Sequence, residues 1–366
     1  MKTVNAFFSA IKYPWKKFSE KAPLASFITG RLITMVVLLF LLGLALFGLM
    51  ELAPGDIVDQ MMTQQIMAGA GEKNMQGQNL TRGDNANIEE QMTQIRAELG
   101  IDQPFYVQYG KWLKRVIVNH DLGVSLISRA PVGFLIASRL WNTVLFNLIE
   151  LVIITVISFA LGVYFSSKAG TRLDVGVTFF ALFFNAFPGM LLLILLQLFA
   201  LLTRLFPVTA YPDFPFNAAP LKFTFSYMHH IFLPLLAAFL GGVGGTMRMI
   251  RATMLDQLGM PYIFALRARG ISEKRIYFNH AFRNTLNPYI TGSANLLAGL
   301  FSGSMVFEII FAYPGIGRLM YEALTQQDIN LVLANTMFLS ALVLVGMVIS
   351  DILLAIVDPR VRYSAN

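Results

Sequence analysis

Six apolar runs, each long enough to cross a bilayer core, constrain this chain more than any other feature. They cover residues 32–50, 143–165 (interrupted by Glu150), 175–203, 223–247, 284–307 and 329–350. A helix needs roughly 20 predominantly apolar residues to span the hydrocarbon, and buried soluble helices rarely reach that length six times in one chain. Composition agrees: 56% of the 366 residues are hydrophobic and 13% charged, against about 25% charged in an ordinary soluble domain. The expected fold is all-α, a polytopic membrane protein with six transmembrane helices.

The formal net charge of +7 raises nucleic-acid binding as a function class, and its distribution excludes it. With the N-terminus inside, the interior segments are 1–31, 166–174, 248–287 and 358–366. Together they hold seventeen Lys and Arg against five acids, a balance of +12, while the long segment 51–140 holds eight bases and ten acids. Short loops decide orientation. The external loop 312–328 has the single base Arg318, the interior loop 248–287 has seven, and both termini are expected in the cytoplasm. The basic, aromatic-bearing segment 1–30 reads as a retained interfacial extension, since the apolar run after it is too long for a signal-peptide core.

Between the first two runs, residues 52–140 read as a small, mostly helical external subdomain. Ala68 to Asn87 shows little periodicity, and its Gln, Met, Asn and Gly content suggests a flexible loop. Ile88, Met92, Ile95 and Leu99 then recur at helical spacing before Gly100, and 107–118 reads as a second amphipathic helix. The third run carries Phe179, Phe180, Phe183, Phe184 and Phe187 before Pro188. Those rings either pack against neighbours and lipid or line a solute path, with Pro188 as a kink. Phe183, Asn185, Phe187 and Glu308 are the candidates for such a lining. The glycines at 241, 242, 244 and 245 suit close helix approach. Of three acids in the apolar runs, Glu308 and Asp351 fall near run ends where water is close, and Glu150 is the candidate for real burial.

Catalytic constellations are missing from the sequence. There is no GxxxxGK[ST] phosphate loop, no HExxH, no GxSxG and no cysteine. Adjacent His229 and His230 point apart on a helix and make a poor metal pair. No cofactor and no metal site is expected, and any energy input must come from another subunit.

Against this apolar background the stretch 266–288, LRARGISEKRIYFNHAFRNTLNP, is a charged island shaped to meet a soluble partner. Pro261 suits the first turn of a short helix. Ile263, Leu266 and Ala268 give that helix an apolar side, Arg267 and Arg269 a charged one. Gly270 supplies a sharp exit, and Ser272 is placed to cap the returning helix.

YIFALRARG at 262–270 followed by HAFRNTLNP at 280–288 resembles the coupling motif of dipeptide/oligopeptide ABC importer permeases. APGD at 53–56, LGIDQP at 99–104, Tyr109, DLG at 121–123, FAYPGIGRL at 311–319 and DPR at 358–360 resemble, in order, the first permease subunit of that family. The resemblance runs from Arg31 almost to the end. Phe264 stands where many ABC permeases have Glu, 60–87 looks inserted, and the extension before Arg31 is longer than usual. The resemblance implies a type I ABC importer permease fold with transmembrane helix 1 at 31–51, a core at 141–358, a coupling loop at 248–287 and a cytoplasmic tail at 359–366. It implies ATPase coupling through Tyr262, Ala265, Leu266, Arg267, Ala268, Arg269 and Gly270. The return of the loop would use Ser272, His280, Arg283, Asn284 and Pro288. Implied partners are a second homologous permease, two ABC ATPase subunits, an external solute-binding protein and a small solute, peptide first and oligosaccharide second. The expected location is a prokaryotic cell membrane. An ion-coupled transporter would need repeated halves with broken helices and several midplane charges. No clear internal repeat is present.

Overall fold

The computed structural model describes residues 23–52, 103–125, 127–286, 289, 299–301, 305–326 and 328–357. The interfacial segment 1–22, the loop and first amphipathic helix expected over 61–100, Pro288 and the tail 359–366 lie outside them. Among the described residues every regular element is helical, apart from one isolated bridge between Val124 and Pro131. In order they are α1 (Pro23–Leu52), α2 (Phe105–Asn119), α3 (Val132–Ser166), α4 (Arg172–Ala186), α5 (Gly189–Thr203), α6 (Pro220–Leu258), α7 (Pro261–Ala268), α8 (Met305–Ile310), α9 (Ile316–Thr325) and α10 (Ile329–Val357). A return segment runs from Glu273 to Thr285 between α7 and α8.

Of the six expected spans, four are single helices long and apolar enough to cross a membrane: α1, α3, α6 and α10. The third is not a single straight helix but a bent pair. α4 and α5 meet at a 96° bend, centred on Pro188. A proline pushes the residue before it out of the helical region, and Phe187 is extended at φ −72°, ψ 135°. Most of the fifth run lies outside the described residues.

Two compact units divide the chain: one comprises Met1–Thr29, Arg139–Leu319 and Leu342–Asn366, the other Gly30–Ser138 and Met320–Ala341. In the second unit, α1 packs on α2, the helix expected over 107–118. Phe47 lies 5.3 Å from Tyr109 and 6.1 Å from Trp112, centroid to centroid. Gly43 makes the approach possible, since a Cβ there would sit 2.5 Å from the Tyr109 ring. Gly43→Val is therefore expected to cost about 1–3 kcal/mol by overpacking, read as a lowered thermal midpoint in detergent. Gly48→Ala, whose Cβ would meet Phe105 at 3.7 Å, should leave that midpoint unchanged. An equal response from the two would refute this packing. Asp328, buried with Ser125, caps α10 by accepting from Leu331 N at 3.2 Å and also accepts the Ser125 hydroxyl.

In the first unit, α6 is the longest helix at 39 residues. Gly244 lets it press on α4, where a Cβ would meet the Ala181 carbonyl oxygen at 2.7 Å, and Gly162 of α3 gives similar room to Ile250. Gly241 and Gly245 face open space, so only part of the glycine cluster serves close packing. A second cluster joins Phe146, Phe307, Phe311 and Tyr313, with the Tyr227 and Tyr313 hydroxyls 2.9 Å apart.

The acids correct the sequence reading. Glu308 is fully buried, whereas Glu150 is only half-buried. Glu308 accepts from the Thr143 hydroxyl at 3.0 Å and from Arg318 N at 2.7 Å. Thr143 Oγ1 in turn accepts from Ile316 N at 2.9 Å. The carboxylate thus organises the turn into α9. Distance from the end of an apolar run did not reveal this, because the chain folds back over Glu308 through residues 311–317.

Candidate partner-docking site

α6 ends at Leu258. Gly259 and the extended Met260 (φ −74°, ψ 147°) turn the chain, and Pro261 opens α7 at its first position, where its missing N–H costs nothing. α7 closes in a Schellman motif. Gly270 stands in the left-handed region at φ +75°, its N–H donating to Arg267 O at 2.9 Å while Ile271 N donates to Leu266 O at 3.2 Å. This pair of bonds with glycine at the left-handed position is what defines the motif. The apolar contact that accompanies it is present too, since Leu266 and Ile271 pack into one cluster.

That cluster anchors α7. Ile263 is fully buried among Ile250, Met254 and Leu258 of α6, Val163 of α3, and Ile276 and Ala281 of the return segment. Tyr262 donates to Gln257 Oε1 at 3.0 Å and accepts from Asn284 Nδ2 at 3.1 Å, tying all three stretches together. Arg267 clasps Glu273 with two bonds, 2.7 and 3.2 Å. The guanidinium holds the exposed Glu273 carboxyl below its usual range, and the Arg267 pKa is raised by the same hydrogen bond. The sign follows: the clasp is complete at neutral pH and is lost as pH falls through the depressed Glu273 value.

Opposite the anchor lies an exposed stripe, with the Arg267 guanidinium 6.0 Å from the centre of the Phe264 ring. Pro261, Phe264, Ala265 and Ala268 follow the i, i+3, i+4, i+7 spacing of one helix face, and all four are exposed, Phe264 by 59%. Arg267, Arg269 and Gly270 flank it. Ala268 was expected on the anchored side with Ile263 and Leu266. It lies about 140° round the helix from Ile263 and about 200° from Leu266, which puts it outward. Phe264, by contrast, was noted in the sequence only as a departure from a Glu, although its helical spacing with Pro261 and Ala268 was legible.

The return segment begins at Ser272. This residue stands at the cap position but its side chain makes no capping bond. Its carbonyl instead accepts from Arg275 N and Ile276 N, both at 3.0 Å. Residues Ile276–Ala281 form a π-helical turn, a rare geometry frequent at functional sites. His280 is half-buried, while Arg283 and Asn284 are exposed.

Phe183 is half exposed and contacts Phe187 at 5.9 Å. The Asn185 amide donates to Gly241 O at 3.1 Å. Glu308 shares no hydrogen bond with that group. His229 bonds Leu205 O at 3.1 Å and lies against Phe206, which is a packing role. No group of metal-ligating side chains occurs among the described residues.

Comparison with known proteins gives two matches that together cover most of the chain. Residues 158–363 match the family described as "Binding-protein-dependent transport system inner membrane component", and residues 24–145 match the N-terminal domain of the same kind of membrane component. The oligopeptide transport system permease protein AppB of Bacillus subtilis (strain 168) is 32% identical over 344 residues, covering 93% of this chain and all of that one. The inner membrane ABC transporter permease protein YejB of Escherichia coli O157:H7 is 29% identical over 366 residues, covering 94% and 100%.

Proposed function

Because the chain belongs to the family of binding-protein-dependent transport system inner membrane components, we propose that it forms half of the pathway of an ATP-driven peptide importer, with α7 as the element that engages an ATPase. The observation that carries this reading is α7 itself: a short helix held rigidly on one side, with an exposed apolar stripe on the other. Such a stripe suits insertion into a groove on a soluble partner, and the anchoring of Ile263 and Tyr262 would pass the partner's motion into α6. Peptide is the solute favoured by the likeness to the oligopeptide permease of Bacillus subtilis.

In this reading the chain hydrolyses nothing. Two partner ATPases supply the energy, a second homologous permease completes the pathway, and an external binding protein delivers the solute. Closure of the ATPases would shift the spans between outward- and inward-open states by differential affinity. Phe183, Asn185 and Phe187, beside the α4–α5 bend, would border the solute.

The absence of cysteine makes the test direct. Lys114→Cys on α2 and Arg269→Cys beside α7, both exposed positions, are expected to label from opposite sides: Lys114→Cys from outside with an impermeant reagent, Arg269→Cys only after permeabilisation. In the assembled complex, Ala268→Cys should crosslink to an ATPase subunit. Labelling of Arg269→Cys from outside, or an Ala268→Cys that stays uncrosslinked while the complex turns over ATP, would overturn the assignment.

A further inference from the structure

A groove of about 740 Å³ opens between the last turns of α3 and the return segment. Its walls are aromatic and aliphatic, with Ala160, Tyr164, Tyr277 and Phe282 among them, and two lysines, Lys168 and Lys274, stand on its lining. The volume lies within the range of small-molecule sites, roughly 300–1,000 Å³. Apolar walls joined to two ammonium groups define an amphipathic occupant with one negatively charged end.

Two further observations narrow the class. First, the groove continues an exposed stripe. Val152, Val156, Ala160, Tyr164 and Lys168 recur every four residues along α3 and past its end, and all are exposed. Residues four apart adjoin on a helix surface, so these form a continuous apolar row that winds about 40° per step round α3 and ends in a cation beyond Ser166. Second, the one acid on the lining is neutralised. Glu273 is taken up by Arg267, whereas neither Lys168 nor Lys274 forms an ion pair among the described residues. The charge presented to a ligand is therefore positive.

We propose that this groove holds one anionic phospholipid of the leaflet on the α7 side, an acyl chain lying along the α3 stripe and the phosphate between Lys168 and Lys274. The inference needs only a membrane-spanning chain and is independent of whether α7 meets an ATPase. A bound lipid would brace the return segment, which carries the π-helical turn, against α3.

The test is retention of lipid by the full-length chain, purified in mild detergent with phosphatidylglycerol or phosphatidylcholine and read by native mass spectrometry. One phosphatidylglycerol should be retained per chain, and phosphatidylcholine should not. Each lysine near an anionic headgroup adds attraction, so Lys168→Gln with Lys274→Gln should weaken retention about thirtyfold. Ala160→Trp fills the apolar part and keeps both lysines. It should also lose the lipid, and it guards against misreading a misfolded double variant. Equal retention of the two lipids, undiminished retention in both variants, or displacement by inorganic phosphate alone would overturn the proposal. A photoreactive residue at Tyr164 in the assembled complex should yield a lipid adduct, and a protein adduct instead would assign the groove to a partner chain.

Discussion

Replacing Gly270 by valine is expected to leave the subunit in the membrane and to sever transport from ATP hydrolysis. Gly270 sits at φ +75° with nothing within 4 Å of where a Cβ would be, so the penalty is conformational and not steric crowding by neighbours. A β-branched residue in that region costs on the order of 1–3 kcal/mol. The Schellman bonds to Leu266 O and Arg267 O depend on that conformation. The cheapest relief is to unwind the last turn of α7 and displace the stripe formed by Phe264, Ala265 and Ala268. Of the cluster around Ile263 only the edge contacts through Leu266 and Ile271 would loosen, so insertion should persist. In proteoliposomes of the whole complex, peptide uptake should fall about tenfold or more, since each 1.4 kcal/mol is a factor of ten, while ATP hydrolysis loses its response to the binding protein. Arg267→Glu should act similarly, by setting a second carboxylate against Glu273. Wild-type uptake and stimulation in both variants would remove α7 from the coupling role.

The second large effect is expected at Arg251. Its guanidinium donates to both oxygens of Asp174, at 2.8 and 2.7 Å, and the Asp174 side chain is only 4% exposed. Asp174 also accepts from Gly170 N at 2.9 Å, and Thr171 Oγ1 caps α4 by accepting from Asp174 N. The pair thereby fixes the start of α4 to α6, about two turns before the chain leaves α6 for α7. Arg251 is partly exposed at 26%, so removing it leaves the Asp174 charge unpaired at a cost of about 1–3 kcal/mol, whereas replacing both by neutral groups is often tolerated. Arg251→Met should lower the thermal midpoint of the purified protein markedly, and Arg251→Met with Asp174→Asn should recover most of the loss. A single variant as stable as wild type, or a double variant as unstable as the single, would show that the pair contributes no net constraint.

Much of α7 was legible because its signals are local. Pro261 at the first turn, Gly270 at the exit and the apolar spacing of Ile263 and Leu266 each specify backbone geometry within a few residues, and the structure has all of them. The same holds for α2, whose amphipathic period over 107–118 is a property of the segment alone. Ala268 was misplaced by an angular argument that helical geometry could have corrected. Ser272 occupies the expected cap position without the expected side-chain bond, because its carbonyl and not its hydroxyl serves the returning helix.

Two prolines mark where local reading ends. Pro188 and Pro234 both interrupt apolar runs, yet α4 and α5 part by 96° at the first while α6 continues through the second. In a membrane helix the groups freed by proline can be satisfied by neighbours, so the outcome depends on surroundings that the sequence does not display. Glu308 and Glu150 make the same point. The sequence by itself determined that this chain is helical and crosses a membrane, and that a charged, proline- and glycine-bounded loop projects from it, because composition and short-range periodicity suffice for those. Only the tertiary structure decided which acid is buried, which face of α7 is left open and which helix breaks, because each depends on partners brought from far along the chain: Thr143 to Glu308, Val163 to Ile263 and Asp174 to Arg251.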